Sequence, residues 1–163
     1  MIEYLPRWIT ASISKYFDDN KGTYVFRVEG DDPTTREARI WVELKIDGPN
    51  LKETTRGYVV AEVDIHVTVN AERDHEHLYA LPDALGYFAK LFDGVIGIYK
   101  YGPDVSDSET EPPYLGIDTG DQIGCLQRTT DLYVSNFGEI QPDVRISRGS
   151  VMATYQYEGN TNG

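Results

Sequence analysis

Cysteine is almost missing from this chain: Cys125 is the only one in 163 residues. One thiol excludes an intrachain disulfide and suits a reducing compartment. Basic residues are also scarce, 15 against 27 acidic, for a formal net charge of −12. Proteins that grip nucleic acid through its phosphates need clustered Lys and Arg, and no basic cluster occurs here. No run of about 18 apolar residues exists, so no membrane-spanning helix is expected. Residues 1–17, MIEYLPRWITASISKYF, lack a basic segment followed by an unbroken apolar one, so no signal peptide is expected. A Gly-rich phosphate loop and a GxSxG nucleophile elbow are both missing. Cys125 has no histidine at a spacing that would mark it as a nucleophile.

What is present begins with residues 57–70, GYVVAEVDIHVTVN. Val59, Ala61, Val63, Ile65, Val67 and Val69 fall on one parity; Tyr58, Val60, Glu62, Asp64, His66, Thr68 and Asn70 fall on the other. Successive side chains of a strand point to opposite faces, so the pattern predicts one long strand with a dry face and a mostly wet face, breached only by Val60. A strand of this length needs a sheet around it. A hydrophobic fraction of 40% over this length suits one domain, residues 1–163, with a real core.

The remaining segments read as partners or cover. Residues 6–17 predict a helix: Pro6 fits a first helical position, and Ile9, Ile13 and Phe17 repeat at helical spacing. Residues 23–29 and 38–47 read as strands separated by the turn signal Gly30-Asp31-Asp32-Pro33, and Gly48-Pro49-Asn50 reads as a second turn. Three runs joined by turns predict an antiparallel meander. Leu78, Leu81, Leu85, Phe88 and Phe92 step by three and four, which predicts a second helix ending near Gly94. Pro82 either sits in the first turn of a helix starting near Leu81 or kinks one starting near Asp74, and a short lead-in turn before the main helix is the preferred reading. Residues 95–101, 121–129, 131–135 and 144–157 are strand candidates, with Ser147-Arg148-Gly149 as a bulge or bend in the last. Residues 102–120 form a long acidic loop, and residues 159–163 a frayed tail. The expected fold is α+β: a mostly antiparallel sheet with two helices packed on it.

Chemistry-bearing residues are few. Glu62, Asp64 and His66 share the wet face of the long strand, and His75 and His77 follow it. Carboxylates and imidazoles brought together could hold a divalent metal for an enzyme. Their spacing matches no ligand motif, and alternating polar residues are normal on a half-exposed sheet, so no metal and no cofactor is expected. Asp104, Asp107, Glu109 and Glu111 crowd the loop without the EF-hand pattern. The 12 tyrosines, among them Tyr99, Tyr101, Tyr114, Tyr133, Tyr155 and Tyr157, suggest interface use, because tyrosine offers area with a polar tip.

The order of elements resembles the tail-terminator proteins of long-tailed bacteriophages. The likeness spans residues 6–157 and rests on ITASISKYF (9–17), on YVVAEVDIHVTV (58–69) followed by LPDALGYFAKLF (81–92), and on the closing VMATYQY (151–157). It is architectural, with no catalytic motif to carry over, and residues 102–120 have no match in the family. It implies a non-enzymatic virion protein of the tail or neck, assembled in the host cytoplasm. Such proteins form a homo-oligomeric, hexameric ring that caps the tail tube, stops tube polymerisation and meets a head-completion or neck protein. Genomic DNA passes through the ring without specific binding, and an acidic lumen suits that passage. Trp41, and Tyr114, Leu115 and Ile117 at one end of the acidic loop, are the expected interface residues. Another neck, head–tail joining or tube-like protein is the nearest alternative, and a metal-dependent enzyme using Glu62, Asp64, His66, His75 and His77 the more distant one.

Overall fold

In the computed structural model the chain folds as α1 (Leu5–Asp19), β1 (Val25–Val28), β2 (Ile40–Glu53), β3 (Tyr58–Ala71), α2 (His77–Leu91), β4 (Ile96–Tyr99), β5 (Gln122–Arg128), β6 (Tyr133–Phe137) and β7 (Ser147–Asn160). The structure describes residues 5–28, 40–54, 58–71, 77–100, 122–137 and 147–160. The fold is α+β: one seven-stranded sheet in the order β1-β2-β3-β7-β5-β4, with β6 also on β7. β5 and β6 share one edge of β7, β5 at residues 155–158 and β6 at residues 148–152.

The alternating run predicted for residues 57–70 is β3, and it lies at the centre of the sheet between β2 and β7. Its dry parity, from Val59 to Val69, is buried throughout. β7 matches it in antiparallel register, placing Tyr155 opposite Val63, Ala153 opposite Ile65 and Val151 opposite Val67. α1 and α2 cover this face, and Ile9, Ile13, Phe17, Leu85, Phe88 and Phe92 join the strand residues in one core.

Helix and sheet meet closely at Gly149. A Cβ built there would overlap the side chain of Leu85, so the absence of a side chain on β7 lets α2 settle onto the strand. This replaces the bulge expected at residues 147–149: the β3–β7 register runs unbroken through them, and the glycine serves packing.

Three other expectations are corrected. First, β1 pairs with β2 in parallel rather than antiparallel. A parallel neighbour requires the chain to return along the strand's length, and residues 29–39 are long enough to do so, whereas a meander needs only a tight turn. Second, Gly48-Pro49-Asn50 does not end the strand. β2 passes through it with one extra residue between the pairs Asp47↔Asp64 and Asn50↔Glu62. The extra residue resets the alternation, so Leu51, opposite Ala61, packs on the same core as Leu44. Gly48 has φ 101°, and a Cβ there would come within 3.1 Å of the Glu62 carbonyl oxygen. Third, α2 starts at His77 and carries Pro82 inside it. Proline there lacks the N–H that would bond back to Leu78, and burial of Leu81, Leu85 and Phe88 holds the helix regardless.

Candidate functional site

The helices cover one face of the sheet; the opposite, outer face carries the wet parity of β3. There the register lines side chains up in rows. Lys45 of β2, His66 of β3, Met152 of β7 and Tyr133 of β6 form one row. Asp47, Asp64 and Thr154 form the next towards the β2–β3 hairpin.

The described members of the acid–histidine set are not brought together. His66 is half-buried, and its Nε2 lies 3.2 Å from Asp47 Oδ2, towards β2. Asp64 turns the other way and accepts a hydrogen bond of 2.7 Å from Thr154 Oγ1 on β7. Glu62 is exposed. His75 lies outside the described residues, as does the side chain of His77. Among the described residues no group of three or more His, Cys, Asp or Glu side chains could hold a metal ion. The physical reason is register: residues two apart on a strand stand side by side, and here His66 is drawn to β2 and Asp64 to β7.

Trp41 also lies on the outer face. It is 5% exposed, and its Nε1 donates to Glu43 Oε1 at 3.2 Å. A partner would therefore meet only its rim. Asn70, its register partner on β3, is 4% exposed, and Asn70 Nδ2 has no hydrogen-bond partner among the described residues. Tyr114, Leu115 and Ile117 lie outside the described residues.

Among the described tyrosines two roles stand apart, which sequence reasoning did not separate. Tyr155, expected at an interface, is buried, and its hydroxyl donates to the Phe92 carbonyl at 2.7 Å. Tyr16 donates to the Leu91 carbonyl and Tyr87 to the Asn20 carbonyl, each at 2.6 Å. All three satisfy carbonyls at helix ends, which the helices themselves cannot do. Burial pushes the Tyr155 hydroxyl far above its usual 10.0, with the nearby Tyr16 adding to the rise and Arg128 opposing it. The second group faces solvent: Tyr133 is 61% exposed, beside Val134 at 48% and Met152 at 39%. Val134 and Met152 were not singled out in the sequence. The usable signal was that β6 and the first half of β7 hold no acidic residue in a strongly acidic chain.

No protein-family model matches the chain, and a search of curated proteins returns no match. Among the described residues no helix is long and apolar enough to cross a membrane.

Proposed function

We propose that the chain is a structural virion protein, a tail terminator that forms a hexameric ring on the end of a phage tail tube. The ring ends tube polymerisation and offers the joining surface to a head-completion or neck protein. The observation that carries this reading is the arrangement of the sheet. Two 14-residue strands, β3 and β7, pair along their whole length with both helices on one side. That leaves the exposed outer positions Glu43, Lys45, Asp47, Glu62 and Asp64 and the solvent-facing β6 to meet other subunits. The order helix, strands, helix after the central strand, closing long strand is that of the family it resembles. The charge of −12 per copy, repeated six times around a lumen, would keep DNA from adhering during passage.

The metal-dependent enzyme is the weaker reading, because His66 and Asp64 are drawn towards opposite neighbouring strands. Elemental analysis after dialysis, on the chain and on its His75→Ala, His77→Ala variant, tests it; a stoichiometric metal lost in the variant would restore the enzyme. The structural role is tested in particles. Virions assembled without the chain should show tails of irregular, excessive length that fail to join heads, and six copies should be imaged between tube and neck in complete ones. Normal tails on infectious particles lacking the chain would overturn it.

A further inference from the structure

The edge of a sheet presents unpaired N–H and C=O groups and invites another strand, so proteins blunt their edges with charge, proline, bulges or cover. This sheet does so in two places. Along β2, β1 pairs only with residues 41–44. The rest of that edge carries the Gly48 bulge, Pro49 without an N–H, and the charges of Lys45, Asp47, Lys52 and Glu53. At β4, the Tyr99 N–H is taken by Ser12 Oγ of α1 at 3.0 Å.

Among the described residues β6 has none of these devices. Its sequence Tyr133-Val134-Ser135-Asn136-Phe137 holds no charge, proline or glycine, and among the described residues it pairs only with β7. Tyr133 and Val134 point to opposite faces by alternation, and both are exposed. The sheet is thus open on both sides at Tyr133 and Val134.

Charge selects the occupant. The outer positions of β2 and β3 carry Glu43, Asp47, Glu62 and Asp64, whereas β6, and β7 as far as Tyr157, carry no carboxylate. Two copies of a chain with net charge −12 repel one another, and within Tyr133–Phe137 they meet without carboxylate facing carboxylate, Asp131 and Glu139 lying beyond the strand ends. We propose that β6 pairs antiparallel with β6 of a second copy about a two-fold axis. Ser135 of one copy then lies opposite Ser135 of the other, Tyr133 lies opposite Phe137, and the two sheets become continuous. The contact is isologous, whereas a six-membered cyclic ring is built from head-to-tail contacts. It is therefore additional to those of a ring and does not rest on the function proposed above.

The test uses the full chain in solution. Average mass by analytical ultracentrifugation should rise with concentration from 18.4 kDa towards twice that value. Raising salt from about 0.05 M to about 1 M should strengthen the association by screening the mutual repulsion. Val134→Lys, which adds the missing edge charge, should weaken it at least about tenfold. In a Cys125→Ser background, Ser135→Cys should form a disulfide-linked dimer on mild oxidation, at least about tenfold faster than Lys52→Cys on the blunted β2 edge. A chain that stays monomeric at every concentration and salt, equal cross-linking from Ser135→Cys and Lys52→Cys, or association undiminished by Val134→Lys would each overturn the proposal. Ser135→Cys is nearly isosteric, so the cross-linking arm stands even where Val134→Lys perturbs folding.

Discussion

Alternate residues of β3 build two surfaces with opposite demands. Val63, Ile65 and Val67 are buried under two helices, while Asp64 between them and Glu62 just before them in sequence are exposed. On the buried side the strand tolerates no change of volume, because each side chain fits neighbours packed at near-crystalline density. On the outer side the same backbone supports ion pairs and hydrogen bonds that water can replace. The lesson is that this chain's packed core and its polar surface are written on different faces of one strand, so the two can be altered separately.

The sharpest way to test that separation is to cut the buried side. Ile65→Ala removes a fully buried side chain from the middle of the core and should cost about 2–5 kcal/mol in urea denaturation. A cost within about 0.5 kcal/mol, typical of surface positions, would mean that the face assignment is inverted.

A smaller effect is expected where helix meets strand. Gly149→Ala places a methyl against Leu85 and should destabilise by about 1–3 kcal/mol through overpacking. Leu85→Ala alone should also destabilise, by leaving a cavity. Combined, the two substitutions should cost less than their sum, because the new methyl enters the space that leucine vacates. Strict additivity in this double-mutant cycle would show that the two positions do not touch.

Next comes the buried hydroxyl. Tyr155→Phe leaves the Phe92 carbonyl without its donor and should cost about 1–3 kcal/mol. The pH dependence has a definite sign. Tyr155 is raised in the folded state by burial above the 10.0 of the unfolded chain. Folding thus favours the protonated phenol, and its contribution is complete below pH 10 and is lost as pH climbs beyond it. Tyr16 and Tyr24 are raised in the same direction, again mainly by burial. Stability followed upward from pH 9 should therefore fall more steeply in the native chain than in Tyr155→Phe. Parallel curves would show that this hydroxyl is no more buried folded than unfolded.

Much of this architecture was legible from periodicity. The alternation of β3 and the three–four stepping of Leu81, Leu85, Phe88 and Phe92 gave both the α+β class and the core-facing residues. What periodicity could not show was which strand lies beside which. β1 looked antiparallel to β2 because local pattern carries no direction, and the Gly48-Pro49 bulge imitated a turn because one extra residue resets the alternation just as a chain reversal would. On the outer face, Glu62, Asp64 and His66 were correctly placed together on one strand. Their partners were hidden, since Asp47 and Thr154 reach them only through register. Tyr155 was misread for a related reason: a buried tyrosine needs an acceptor, and the Phe92 carbonyl is 63 residues away in the chain.

The smallest effect belongs to the outer face, and its sign is informative. Asp64 accepts a hydrogen bond from Thr154 but also stands directly opposite Asp47 across the β2–β3 ladder. Like charges opposite one another destabilise a strand pair, while an exposed hydrogen bond contributes little. Asp64→Asn keeps an oxygen that can accept from Thr154 and removes one of the two facing charges. It should therefore leave stability unchanged or raise it by up to about 0.5 kcal/mol, in contrast to every substitution on the buried face. Any gain is electrostatic, so it should shrink towards zero near 1 M salt, where the Debye length falls to about 3 Å. A loss of more than about 1 kcal/mol at both salt concentrations would contradict the comparison itself. The Asp64 charge would then be held by something that the exposed hydrogen bond to Thr154 does not supply, and the outer face could not be treated as a plain solvated surface.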